Sequence, residues 1–487
     1  MPILETTAPP TQQSPIQAGT VSPTQRPGTD AASRASSFTP RYRCFYDQRK
    51  EEYIRFAVPE GESVLVIGCG EGDLLSVLEP RRGVGIDDSP EVVTRARSRF
   101  PEYNYFTTIE EASELGETYE FVVINGATEQ TEDVFTLLLK TARLCTPTSR
   151  LVIVQQSHLW QAASRAWDWL AAKPEARRNR LSVADVCTIL EGAGFEATDV
   201  RRKLFCPLRL LGIGPLINAF AGVFPLLDRL CSTEIIIARK IIRDANPAAK
   251  SASIVLTTRN EHGNIEPVVQ AIPKLGASTE IIFVEGHSTD GTRAEIERVI
   301  QTYPEKNIRL LVQDGAGPGD AIYKGFCEAT GDVIVLLEAD QTSLPEDVLK
   351  AFEMIAAGRA EYVNGSRFIY PREAGSMPGL NIVGNQLFAL WFSWFLRLRT
   401  TDVLCGIKGI DRRQFSRLRR EWGFLNVFDP FGDFELIFGA SRLGLKIAEV
   451  PTRYNCRQYG ETKTRLFAHG MMLLRIAARA VRVFKCR

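Results

Sequence analysis

Short apolar runs, several of them closed by glycine or acid, alternate along this chain with more polar helical stretches. The first are Ser63 to Ile67, Gly83 to Ile86, Leu151 to Gln155 and Glu234 to Arg239; the pattern restarts at Ala252 with SIVLTT, EIIFVEG, RLLVQ and the run Val333 to Leu337. Apolar runs of this length alternating with helical segments read as buried strands of mostly parallel sheets. The expected fold class is therefore α/β, with two doubly wound domains in tandem. Helical spacing predicts a helix around Tyr46 to Phe56, a broken apolar helix from Asn381 to Leu396, and a carboxyl-terminal helix mixing apolar residues with arginine.

The 487-residue length also favours at least two domains. Residues 1 to 40 are rich in Pro, Thr, Ser and Gln and read as a disordered tail. A first domain over 41 to 243, a linker over 244 to 250 and a second domain over 251 to 487 follow from composition and restart of the pattern. A net charge of +1 gives no signal for nucleic acid. Ten cysteines without a CxxC pair, beside four histidines, argue against zinc sites and disulfides and suit a reducing cytoplasm. The amino terminus lacks the basic and apolar regions of a secretory signal, and no run of about 18 apolar residues predicts a membrane span.

In the first domain the strand at Ser63 runs into Gly68, Gly70 and Gly72 and then a helix, a loop that lets a ligand approach the backbone. The next strand ends in Asp87, placed to accept hydrogen bonds from a ribose. VLVIGCGEGDLL, GVGIDDSPEVVTRAR and FVVINGATEQ together resemble the class I S-adenosylmethionine-dependent methyltransferases, whose fold is Rossmann-like. The resemblance implies that Gly68, Gly70 and Gly72 flank the methionine moiety, Asp87 holds the ribose and Asn125 lies near the sulfonium. Val66 and the run after Phe106 lack two acids common in that family. The stretch Leu204 to Leu230 reads as a hydrophobic cap over this sheet or as a surface resting on lipid.

In the second domain Glu338 and Asp340 end the strand that begins at Val333, where two carboxylates can converge on a hard cation. With TTRNE, the loop GAGPGDAIYKGF, DVLCGIKG, DPFGDFELIFGA and RQYGETK, this order resembles the family 2 glycosyltransferases of GT-A fold, particularly the polyprenyl- and dolichyl-phosphate sugar transferases. The resemblance implies inverting transfer from a nucleotide-diphosphate sugar, assisted by Mg²⁺ or Mn²⁺, to a glycan or polyprenyl-phosphate acceptor. Thr258, Arg259, Asn260 and Glu261 would line the nucleotide pocket, Glu285 would read base or ribose, and Asp314, Gly317 and Asp320 would lie in the adjoining loop. Asp340 is the expected direct metal ligand and Glu338 the expected outer-sphere one. Arg457 and Lys463 would close over the diphosphate. Asp433 and Glu435 are base candidates, Asp433 being preferred, with ordinary helix amino-end acids as the alternative reading.

The sequence thus points to a two-site transferase acting on a glycan or its lipid carrier, cytoplasmic or peripheral at the inner membrane face. The amphipathic carboxyl terminus is the expected membrane contact. Two alternatives stay open: a first domain that only binds or scaffolds, and a chain that binds glycans without catalysis.

Overall fold

The computed structural model describes residues 45–162, 179–207, 212–242, 245–427, 429–460 and 466–486. The expected tail and Lys463 lie outside the described residues.

The amino-terminal sheet comprises β1 (Ser63–Ile67), β2 (Arg82–Ile86), β3 (Asn104–Phe106), β4 (Tyr119–Asn125), β5 (Cys145–Gln156), β6 (Phe195–Lys203) and β7 (Thr233–Lys240). Their order is β3-β2-β1-β4-β5-β7-β6. The first five strands run parallel, and β7 is antiparallel to both its neighbours. Every residue of β1 is buried, as its unbroken apolar run predicts for a central parallel strand covered on both faces. Two residues after Asp87, Ser89 caps the helix Pro90–Arg99 by accepting from the Val92 amide at 3.4 Å, with proline at the first helical position.

The second sheet comprises β8 (Ser251–Thr258), β9 (Ser278–Glu285), β10 (Ile308–Val312), β11 (Val333–Glu338), β12 (Tyr362–Ser366), β13 (Lys408–Asp411) and β14 (Ile447–Pro451). Their order is β10-β9-β8-β11-β13-β12-β14, with β13 antiparallel to β11 and β12. Two apolar layers sandwich this sheet. One gathers the aromatic residues Phe392, Phe395, Phe434 and Phe438; the other gathers Val268, Val299 and Phe352 beneath β8 and β11.

The lobes meet where several of their parallel strands begin and along the edge strand β6. Arg150, near the foot of β5, donates to both carboxylate oxygens of Glu361, just before β12, each at 2.7 Å. Arg420 pairs with Glu62, which precedes β1, and Arg417 donates to the Thr148 carbonyl at 2.6 Å. Lys446, before β14, pairs with Glu196 at 3.0 Å. Arg201 of β6 donates to the carbonyls of Ser441 and Arg442, at 2.8 and 3.0 Å, at the carboxyl end of the helix Asp433–Arg442. A cation there complements the helix dipole and satisfies otherwise orphaned carbonyls. The carboxyl ends of the central strands β1 and β11, where α/β ligands bind, lie at the other end of those strands from the Glu62 and Arg150 contacts.

Candidate functional site

At the carboxyl end of β11, Glu338 leaves the sheet and Asp340 follows in the turn. Gln341 adopts φ +57°, a left-handed conformation costly for a residue with a side chain. The reversal lets the Thr342 amide and hydroxyl both donate to Asp340 Oδ1, at 3.0 and 2.8 Å. Asp340 Oδ2 accepts from Arg457, whose other terminal nitrogen donates to Glu261 Oε1 at 3.1 Å. Glu261 also accepts from Asn264 at 2.7 Å. Thus residues some 80 to 200 positions apart converge: Glu261 after β8, Asp340 after β11 and Arg457 after β14.

Glu338 is open to the pocket on one side and enclosed by protein on the others. Desolvation, then the Asp340 and Asp433 carboxylates, push its pKa up to about 8. A Cβ on Gly406 would lie 2.6 Å from its carboxyl carbon, so the glycine of DVLCGIKG makes room for this side chain. Asp433 begins its helix, with Lys408 Nζ 3.6 Å away. Burial raises its pKa to about 6, against the lowering effect of Lys408. Glu435 is not directed to this cluster; it accepts from the Gly423 amide at 3.1 Å, and burial raises its pKa to about 7. The amides of Phe434 and Glu435 are capped by Asp429, at 3.0 and 3.2 Å, which leaves Asp433 free of that duty.

Three supporting residues have no role assigned from the sequence, although Asp402 opens the DVLCGIKG motif. Arg367 and the fully buried Asp402 form a two-pronged ion pair at 2.6 and 2.8 Å, and Asn385 donates to the same carboxylate at 2.7 Å. Burial opposes charge on Asp402, but the Arg367 guanidinium outweighs it and lowers the pKa. The Arg367 guanidinium also lies 5.1 Å over the Tyr454 ring, tying β12 to the arm that carries Arg457. Their motifs, VNGSR and DVLCGIKG, mark the pair only once the fold brings β12 and the later loop together.

The other nucleotide-pocket candidates form its wall. Thr258 is buried and donates to the Val284 carbonyl at 3.2 Å. Asn260, at φ +51°, accepts from the Thr289 amide at 2.9 Å, and buried Glu285 accepts from the Ser288 amide. Asp320 accepts from the Gly315 amide at 2.8 Å and so shapes the glycine-rich loop. Asp314 instead lies on the surface, 82% exposed, paired with Lys324.

Among the described residues no group of three His, Cys, Asp or Glu side chains forms a closed metal cage. The acid pair fits a different type of site, in which one or two carboxylates hold a cation whose remaining ligands are substrate phosphate and water.

In the amino-terminal lobe, Gly68, Gly70 and Gly72 adopt φ of +78°, +56° and +89°. A Cβ on Gly68 would lie 2.5 Å from the Asn125 carbonyl oxygen, so β1 and β4 approach too closely there for any side chain. Asp87 accepts from the Gly70 amide at 2.9 Å and from Ser89 at 3.3 Å, while Asn125 donates to the Gly68 carbonyl at 3.3 Å. This cradle suits a ligand bound through backbone, with Asp87 half-exposed above it. Val66 is fully buried in the core and offers nothing to a ligand. The acid missing after Phe106 has a neighbour: Glu111 folds back to accept from the Thr107 amide and hydroxyl, at 3.0 and 2.9 Å. Its four-residue offset hid it from motif matching.

Two doubly wound sheets, each with a glycine-shaped or acid-lined mouth at its strand ends, define a tandem Rossmann-like α/β protein. Residues 41–200 match the family model described as methyltransferase domain, and residues 253–422 match glycosyl transferase family 2. The chain carries a methyltransferase domain followed by a family 2 glycosyltransferase domain. Dolichol-phosphate mannosyltransferase of Pyrococcus furiosus is 28% identical over 215 residues, 43% of this chain and 58% of the relative. The low-salt glycan biosynthesis hexosyltransferase Agl6 of Haloferax volcanii is 29% identical over 228 residues, 46% of this chain and 52% of the relative. The chain thus spans just over half the length of these two relatives. Among solved structures, glucosyl-3-phosphoglycerate synthase of Mycobacterium tuberculosis with Mn²⁺, UDP-glucose and glycerol 3-phosphate matches at 18% identity and a TM-score of 0.35, over 49% of this chain and 81% of that one. Magnesium protoporphyrin IX methyltransferase of Synechocystis matches at 16% identity and a TM-score of 0.30, over 40% and 84%.

Proposed function

We propose that the carboxyl-terminal lobe transfers a sugar, with inversion, from a nucleotide-diphosphate donor to a polyprenyl-phosphate or glycan acceptor. The observation that carries this is the convergence of Glu338, Asp340, Asp433 and Arg457 beyond the ends of β8 and β11. Asp340 would hold Mg²⁺ or Mn²⁺, with Glu338 reaching it through water. Once bound, the cation supplies charge stabilisation to the departing diphosphate. Arg457, now on Asp340 and Glu261, would turn to that diphosphate as it leaves. Acceptor oxygen forms its bond to the anomeric carbon as the carbon–diphosphate bond breaks, and Asp433 takes the proton of a hydroxyl acceptor. A phosphate acceptor is already an anion and needs no base. Lys408 holds the Asp433 carboxylate in place.

The test is hydrolysis of nucleotide sugars by the full chain with and without manganese. Asp340→Asn keeps size and shape, and should lower turnover by orders of magnitude, the scale of losing several kcal/mol of metal-mediated stabilisation. Glu338→Asp should cost far less. Near wild-type turnover of Asp340→Asn, with metal dependence unchanged, would sink the assignment.

The amino-terminal lobe we read as binding S-adenosylmethionine and methylating a related substrate. Buried Val66 favours the second reading, a lobe that binds or scaffolds without turnover. Peripheral membrane contact through the carboxyl-terminal helix belongs to the glycosyltransferase reading. No helix among the described residues is long and apolar enough to cross a membrane.

A further inference from the structure

Three helices from both lobes leave large apolar side chains uncovered. On Gly379–Leu396, Leu380, Val383, Leu387 and Leu390 are exposed at spacings of three and four, which places them on one face. Met471 and Leu474 are exposed on Leu466–Phe484, which packs against that helix. From the methyltransferase lobe, the helix Gly214–Val223 exposes Leu216 and Phe220, at 70% and 62%.

The ends of these helices meet. Gly222 packs on the Lys485 carbonyl so closely that a side chain would collide with it. Arg397 pairs with Asp228, and Lys203 donates to the Phe484 carbonyl at 2.8 Å. Between them lies a cleft of about 380 Å³ lined by Asp199, Arg202, Asp228, Trp394, Arg397 and Lys485. The two helices of the carboxyl-terminal lobe carry charge of one sign. Residues 379–399 and 466–486 carry Arg397, Arg399, Arg475, Arg479, Arg482 and Lys485 and no acid. Residues 212–230 carry Asp228 and Arg229, and Asp228 is taken up by Arg397. Exposed apolar side chains beside the exposed cations Arg475 and Arg482 fit the boundary of an anionic bilayer, where acyl chains receive the one and lipid phosphates the other.

We propose that these three helices form one composite docking face for an anionic lipid surface, to which the methyltransferase lobe contributes Gly214–Val223. This deepens the membrane contact of the proposed function, and its readout is independent of sugar transfer. The full chain would be sedimented with phosphatidylcholine vesicles, with and without phosphatidylglycerol. Wild type should partition to the anionic vesicles and lose binding as salt rises. Leu216→Glu/Phe220→Glu in the amino-terminal lobe and Leu387→Glu/Leu390→Glu in the other should each weaken partitioning by about tenfold or more, since each removes two apolar anchors. Circular dichroism melting verifies that both variants fold, and Arg475→Ser/Arg482→Ser tests the charge without touching the apolar residues. Unchanged binding of Leu216→Glu/Phe220→Glu would overturn the composite face. So would equal binding to neutral vesicles, or self-association without lipid that the same substitutions abolish, which would make a second copy the occupant.

Discussion

Asp433 lies near Lys408 and Glu338, and burial, helped by the Asp429 carboxylate, brings its pKa up to about 6 against the lowering effect of Lys408 and Arg367. For a hydroxyl acceptor, turnover should rise as pH passes through about 6 and the carboxyl ionises, and Asp433→Asn should remove that limb from the pH–rate profile. With a polyprenyl-phosphate acceptor, which needs no base, Asp433→Asn should leave both the rate and its pH dependence unchanged, so the effect of the substitution distinguishes the acceptor classes. The stability effect has the opposite sign. Its folded pKa exceeds the ordinary 3.8, so the stabilisation from proton binding is complete below 3.8 and lost as pH rises through about 6. Nothing in GDFEL separates Asp433 from Glu435 by sequence. The separation comes from helical phase, which turns one toward β11 and the other toward Gly423.

At the scale of elements, the central strands were legible because they are buried on both faces: β1 has the bounds its apolar run predicts, and β11 extends one residue further to include Glu338. β6, FEATDVRRK, was not. Its polar residues are covered by contacts from the other lobe, such as Arg201 on Ser441, that lie some 240 positions away. The helix Arg412–Arg420, RRQFSRLRR, similarly reads as a solvated basic face, yet Gln414, Phe415, Arg417 and Leu418 are buried. The unit β1, glycine loop and β2 behaves as one element, because Asp87 fastens to the Gly70 amide. Asp87→Ala in the full chain should weaken S-adenosylmethionine binding by about 1 to 3 kcal/mol, read by calorimetry. Equal heats for variant and wild type would remove Asp87 from the ligand's contacts; binding without methyl transfer would favour the scaffold reading.

For the whole molecule, the decisive feature is the buried, arginine-rich seam. Arg150 and Glu361 are both almost wholly enclosed, and Arg239 stands 3.6 Å from the same carboxylate. Removing one member of a buried pair leaves the other uncompensated, so Arg150→Ala should destabilise the protein by about 3 to 5 kcal/mol. Because the pair spans both lobes, denaturant unfolding should show one transition by probes in either lobe; two separated transitions in wild type would contradict the coupling.

That seam also bears on the traffic of substrates. The glycine-loop mouth lies at the carboxyl end of β1 and the acid-lined mouth at the carboxyl end of β11, while Arg150 with Glu361 and Arg420 with Glu62 join the lobes at the opposite ends of those sheets. A small intermediate passing from one mouth to the other therefore has to cross the lengths of both sheets. If both lobes modify one acceptor, the product of the first has to leave its mouth and travel past the seam, free in the surrounding pool or tethered in a shared lipid leaflet, before the second can receive it.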